Sequence, residues 1–381
     1  MGDVFVVGID MIKFGRFPDR KLPEIGAEAA LMALDDAGLK IQQMEALYCG
    51  NLGQANAMVG QRILQEIGQT GVTVVNTANA CATGATAFRE AWMAVKAGVY
   101  DLVLAVGVEQ MGKGLLGGTG AGKSIPKEGL LGSGTMPAVF AEAGMEHSRK
   151  YGTTFEQFAK VSVKNHHHST MNPKAMYQIE TPLETVMNAE MIAYPNTKLM
   201  CSVNVDGSAA AVLASEKKAK ELGLMKRAVK VRASVLTSDP WQERDLVMPD
   251  VNTCTRNAAK KAYEMAGVGP EDIDLVELHD CFATAAILHY ENLFLCKEGE
   301  AGRLIDEGAV ALGGKIPVNV SGGLLSKGHP LGATGIANIY EVSTHLRGEA
   351  GKRQVKDAKL GMTHVIGLGS ACGIHILERV S

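Results

Sequence analysis

Apolar and polar positions fall into blocks along this chain, and the blocks switch between the spacing of a strand and that of a helix. Residues 4–11 predict a strand, residues 23–37 an amphipathic helix closed by Gly38, and residues 46–49 a short strand. A β-branched run at 71–75 and an alanine-rich helical pattern at 85–97 bracket the stretch Asn76-Thr-Ala-Asn-Ala-Cys81-Ala-Thr-Gly84. Residues 102–108 are apolar throughout, as expected of a strand buried on both faces. Beyond Met111 the periodicity dissolves. Residues 112–134 are glycine-rich, 138–164 helical, and 165–198 polar and irregular, which predicts an insertion over one end of a sheet. A strand at 209–215 and a short helix at 216–223 follow.

The alternation then begins again from Val229 as an internal repeat. Asp35-Asp-Ala-Gly38 before Ala46-Leu-Tyr-Cys-Gly50 is echoed by Glu264-Met-Ala-Gly267 before Val276-Glu-Leu-His279. Gly84-Ala-Thr86 and Gly332-Ala-Thr334 each open a helix. The matched order predicts two similar α/β halves, residues 1–225 with an inserted loop region at about 112–200, and residues 226–381, with mixed sheets between helices. A pseudo-twofold between them would turn equivalent strand ends toward one cleft. Three loops qualify: His279-Asp280-Cys281-Phe282 after a strand at 275–278, Gly328-His329-Pro330 before a helix near Ala333, and residues 367–373 between strands at 360–366 and 374–378.

Composition narrows the classes. The 381 residues are 46% hydrophobic, with 38 basic and 41 acidic residues and a net charge of −3, so no basic stripe for nucleic acid stands out. Seven scattered cysteines with no CxxC pair read as reduced thiols in a cytoplasmic setting and point to no zinc site or redox dithiol. No apolar run approaches the roughly 18 residues of a membrane span. The run His166-His167-His168 does not converge on one helix face, which favours a solvated or loop role over a metal site.

Chemistry centres on Cys81. At a strand-to-helix turn its thiol faces a helix N-terminus, a setting that lowers a cysteine pKa from about 8.5 into roughly 3.5–7.5. An inert buried cysteine suits the same position. A thiolate taking up an acyl group needs a base, oxyanion donors and an acid/base for the second substrate, and His279, Cys281 and His329 complete that set. His329 could instead cap the following helix, His279 could be a strand-end histidine bonded to a carbonyl, and Cys281 could be packing beside Phe282. Asp280 suits ordering of the turn.

The motifs Asn79-Ala-Cys81-Ala-Thr-Gly84, His279-Asp-Cys-Phe282, Ser321-Gly-Gly323 with Ser326-Lys-Gly-His-Pro-Leu-Gly-Ala-Thr-Gly335, and Leu346-Arg-Gly-Glu-Ala-Gly-Lys-Arg-Gln-Val355 resemble those of the thiolases, and within them the sterol-carrier-protein type and its bacterial and archaeal relatives. The resemblance implies a duplicated five-layer αβαβα fold with an inserted loop domain, a homodimer or homotetramer, and acyl transfer to and from coenzyme A, which is substrate or product, with no resident cofactor and no metal. It implies Cys81 as the acylated residue, the backbone N–H groups of Cys81 and Gly369 as oxyanion hole, and His329 as activator of Cys81. Conventional members carry Asn-Glu-Ala-Phe in place of His279 to Phe282 and a second cysteine where this chain has Gly367, which points to Cys281 as the substitute acid/base. The implied reaction is thiolytic cleavage of a 3-oxoacyl-CoA or the reverse Claisen condensation. A retro-aldol lyase on a CoA thioester and a non-catalytic acyl-CoA or lipid carrier are the alternatives. Some relatives work with a small zinc-ribbon/OB-fold partner protein.

Overall fold

The computed structural model describes residues 2–112, 136–240, 249–368 and 370–380. In the first half the strands are β1 (Val4–Met11), β2 (Ala46–Gly50), β3 (Thr73–Thr77), β4 (Leu102–Glu109), the short pair β5 (Met191–Ala193) and β6 (Asn196–Thr197), and β7 (Gly207–Ser215). The helices there are α1 (Leu22–Ala37), α2 (Val59–Ile67), α3 (Thr83–Lys96), α4 (Met136–Tyr151), α5 (Phe155–Ser169), α6 (Leu183–Met187) and α7 (Glu216–Glu221). The second half holds β8 (Val229–Thr237), β9 (Leu275–Glu277), β10 (Leu360–Gly367) and β11 (Ala371–Arg379). Its helices are α8 (Pro249–Ala266), α9 (Ala283–Asn292), α10 (Ala301–Asp306), α11 (Gly323–Ser326) and α12 (Leu331–Leu346).

Strand order records the duplication. The main sheet runs β3-β2-β4-β7-β1-β8-β11-β10-β9, so β2-β4-β7-β1 of one half is mirrored by β9-β10-β11-β8 of the other. Pairing directions match as well. β2 and β4 are parallel, as are β9 and β10, while the β4–β7 and β7–β1 contacts are antiparallel like β10–β11 and β11–β8. Where β3 flanks β2, a single parallel bridge from Val276 to Val318 flanks β9. The two mixed half-sheets expected from the repeat meet edge to edge, through Phe5 opposite Lys230 and Val6 opposite Val229.

Alternating side chains divide the layers. On β4, Leu102, Leu104, Val106 and Val108 pack under α1 and α2, whereas Val103 and Ala105 face inward with α3 and α12. On the second half, Ala233, Val235, Ile374 and Ile376 pack with the buried side of α8 and with α9. The central pair α3 and α12 is thus enclosed by both half-sheets, giving the αβαβα order. Among the described residues no helix is long and apolar enough to cross a membrane.

Three local expectations are revised. The helix foreseen at 138–164 is two helices, broken where Gly152 turns left-handed at φ 76°, and the second continues to Ser169. His166, His167 and His168 therefore lie on α5 and not in a solvated loop. His166 and His168 are buried because they face the segment at 312–326: Nδ1 of His166 meets Ser326 Oγ at 3.2 Å, His168 Nδ1 meets the Asn319 carbonyl at 3.0 Å, and its Nε2 accepts from the Leu312 N–H. The foreseen loop at 367–373 is shorter, since β11 begins at Ala371 and pairs it with Gly367.

Candidate active site

Cys81 sits in a turn that its own side chains build. Ala80 adopts a left-handed φ of 47°, a conformation that costs a residue with a Cβ on the order of 1–3 kcal/mol. The Ala82 N–H donates to the Asn79 carbonyl at 3.0 Å and that of Thr83 to the Ala80 carbonyl at 3.2 Å. The Thr83 hydroxyl donates to the Ala80 carbonyl at 2.6 Å and accepts from the Asn79 N–H at 2.8 Å, tying the turn to the first residue of α3.

Glycines let the second half reach this turn. A Cβ on Gly84 would lie 2.6 Å from the Gly332 carbonyl oxygen, and one on Gly335 would overlap the amide nitrogen of Ala85, so α3 and α12 cross backbone to backbone at their first turns. That crossing delivers His329, whose N–H donates to the Val203 carbonyl at 3.0 Å. Its Nδ1 meets Thr334 Oγ1 at 2.8 Å, and the Thr334 hydroxyl donates its one proton to the Pro330 carbonyl at 3.0 Å. Nδ1 of His329 is therefore the donor, and in the neutral ring Nε2 carries a lone pair. His279 arrives from the end of β9. The turn behind it is held by Asp280, which accepts from the Leu324 N–H at 2.8 Å and from Asn165 Nδ2 at 2.5 Å, so Asp280 orders the loop.

One donor atom from each of Cys81, His279 and His329 lies within 4.8 Å of the others, and all three residues are buried. The two imidazole rings stand edge to face with centroids 5.0 Å apart. Burial governs their ionisation. The Cys81 thiol is pushed up to about 12, first by desolvation and then by the carboxylate of Glu109, opposite to the lowering expected from the helix terminus alone. Desolvation brings His279 down to about 3 and holds His329 well below the usual histidine range. The resting cluster is thus a neutral thiol beside neutral imidazoles. Glu109, at the end of β4, accepts from Asn51 Nδ2 and the N–H groups of Leu52, Gly53 and Gly332, pinning the start of α12 to the first half.

Comparison with known proteins agrees with this architecture. Residues 4–198 match the family model described as "Thiolase, N-terminal domain" and residues 238–379 match "Thiolase C-terminal domain-like". The chain belongs to the thiolase family. It is 42% identical over 385 residues to human "Sterol carrier protein 2", covering 97% of this chain and 70% of that protein. It is 40% identical over 388 residues to "Acetyl-CoA acetyltransferase" of Methanothermobacter thermautotrophicus, covering 100% of each. The solved structure of the "Ltp2-ChsH2(DUF35) aldolase" superposes with a TM-score of 0.84 over 99% of this chain and 98% of that one, at 23% identity, a likeness of fold.

In this thiolase the other sequence candidates separate. Cys281 is buried, its thiol raised well above the ordinary value by desolvation and then by the charge of Cys81. Cys372 lies on β11, where its thiol contacts Cys254 and Thr255 of α8. Gly367 abuts the Cys81 turn so closely that a Cβ there would lie 2.6 Å from the Asn79 carbonyl oxygen. Gly369 lies outside the described residues. Sequence reasoning missed Glu109, Thr334 and the buried Lys327; the signals were an acidic residue directly after an all-apolar strand, a threonine one helical turn past His329, and a lysine amid apolar and small residues.

Proposed function

We propose that this thiolase is a coenzyme A-dependent acyltransferase that cleaves a 3-oxoacyl-CoA thiolytically, or runs the reverse Claisen condensation, through an acyl-enzyme on Cys81. The observation that carries the reading is the meeting of Cys81 from the first half with His279 and His329 from the second, with the lone pair of His329 Nε2 left available. As Sγ bonds to the C3 carbonyl carbon, the thiol proton passes to His329 Nε2, so charge develops only during attack. The C2–C3 bond then breaks and its electron pair stays with C2 as the enolate of the departing acyl-CoA. His279 binds the enolate oxygen, and Cys281 protonates C2. The thiol of free coenzyme A gives its proton to the Cys281 thiolate and attacks the acyl group, and the Cys81 sulfur leaves with the proton from His329. By family resemblance the N–H groups of Cys81 and Gly369 hold the oxyanion. The working form is a homodimer or homotetramer.

The test is a panel of 3-oxoacyl-CoA substrates with free coenzyme A, following loss of the 3-oxoacyl thioester, with intact-mass detection of the acyl adduct. Cleavage should require coenzyme A, and Cys81→Ser should form no adduct. His329→Ala should lose on the order of 10²–10⁴ in kcat. A retro-aldol lyase needs no acylated cysteine, so cleavage that proceeds without coenzyme A and survives in Cys81→Ser would replace the thiolytic reading. Binding of acyl-CoA with no turnover across the panel, with or without a small zinc-ribbon/OB-fold partner, would favour a carrier.

A further inference from the structure

We propose that Cys81, His279 and His329 also form a binding site for a borderline-soft divalent cation such as Zn²⁺, which occupies the cluster in place of substrate and blocks Cys81. The inference rests on where these three side chains lie and not on whether Cys81 is acylated. One thiolate and two imidazoles with a fourth position open is a donor set that zinc uses with three protein ligands. Ideal bonds of about 2.3 Å to sulfur and 2.0–2.1 Å to nitrogen place tetrahedral ligand atoms roughly 3.5 Å apart. The three donor atoms here already lie within 4.8 Å of one another, so a closing movement of about an ångström, available from side-chain torsions, completes the geometry.

The surroundings fit a cation in three further ways. Nε2 of His329 and Nδ1 of His279 are buried with no hydrogen-bond partner among the described residues, so each ring keeps a nitrogen that these residues leave unoccupied. Thr334 holds the opposite nitrogen of His329 at 2.8 Å and is itself anchored to the Pro330 carbonyl, the kind of outer partner that orients a ligating histidine. Leu52, Met111 and Leu331 pack around Cys81, so the attraction between its thiolate and a bound cation is little screened by water. Binding replaces the S–H bond with an S–metal bond and releases one proton to solvent, with no change of oxidation state. The triple-histidine run is not a competing site in the fold, since His166 and His168 are bonded to Ser326, Asn319 and Leu312 and exposed His167 pairs with Glu180.

Two readouts that need no turnover test this. Co²⁺ added to the intact protein should bind one ion per chain with a thiolate-to-metal charge-transfer band, and the band should vanish in Cys81→Ser and weaken in His279→Ala. Equimolar Zn²⁺ should slow iodoacetamide alkylation of Cys81 at least tenfold, scored on the Cys81 peptide by mass spectrometry. Thr334→Val should weaken metal affinity about 10–100-fold, Thr334→Ser should recover it, and His167→Ala should leave it unchanged. Zn²⁺ that fails to protect Cys81 in the wild-type protein, or cobalt binding with no thiolate band, overturns the proposal. Failure of the acyltransferase reading would appear only in the substrate panel.

Discussion

Glu277 and Lys327 approach each other to 3.9 Å with neither side chain exposed, and each stands two residues ahead of a site histidine, His279 and His329 respectively. Lys327 also lies 3.7 Å from Glu341 and 3.4 Å from Asn338 Oδ1 on α12, and Arg353 pairs with the other oxygen of Glu341. Glu277 in turn accepts from the N–H and hydroxyl of Ser321. The two histidine-bearing segments are therefore joined by a buried network of two cations and two carboxylates. Removing one partner of such a pair leaves uncompensated charge in a low-dielectric interior.

Lys327→Met should destabilise the fold by about 3–5 kcal/mol in denaturant unfolding, the usual cost of breaking a buried pair. Glu277→Gln in the Lys327→Met background should recover part of the loss. A double-mutant cycle additive within about 0.5 kcal/mol would mean that the two residues do not couple and that the link between the histidine segments is not electrostatic.

At the α3–α12 crossing, Gly335→Ala sets a methyl against the Ala85 backbone. Overpacking of this kind costs about 1–3 kcal/mol, and the outward shift of α12 carries His329 away from Cys81. We expect native-like circular dichroism with at least a tenfold loss of kcat. Turnover at the wild-type rate would show that the crossing tolerates the shift.

Cys281 and Cys372 should behave oppositely. Cys281→Ala should still acylate Cys81 but lose α-proton exchange of acetyl-CoA in heavy water, because its buried thiol is close enough for its charge to interact with that of Cys81. Cys372→Ala should stay close to wild type in both assays, its thiol being turned toward Cys254 and Thr255. Loss of exchange in Cys372→Ala with retention in Cys281→Ala would reverse the assignment.

Acid should unfold this protein early. Burial depresses His166 to about 4 and His168, His279, His345 and His375 to about 3, and holds His289, His329 and His364 lower than usual. These groups stay neutral in the fold while the unfolded chain takes up protons near pH 6.5, so their contribution is full above that value and drains as pH falls toward the folded pKa values. Each contributes up to about 1.4 kcal/mol per pH unit in that window. Melting temperature should drop steeply between about pH 6 and pH 4; a flat profile down to pH 4.5 would mean that the histidines are protonated in the fold.

Much of the fold was legible in the chain because its signals are local. The all-apolar run of β4, the Gly38 stop of α1 and the paired glycine-threonine helix openings each express a backbone preference that needs no distant partner. The repeat added the relation between halves, and with it the expectation that Cys81, His279, Cys281 and His329 belong to one cleft. Other features come from contacts between residues far apart in sequence. A helix terminus predicts an acidic Cys81, yet the fold buries it beside Glu109, and desolvation outweighs the helix's partial charge. Three adjacent histidines look solvated until α5 turns two of them onto the segment at 312–326. Thr334 as setter of the His329 tautomer, and Lys327 as counter-charge to Glu277, are ordinary polar residues in the sequence. Only the crossing of α3 and α12 between two half-sheets removes them from water, and the same burial gives their hydrogen bonds and charges the strength to position the site.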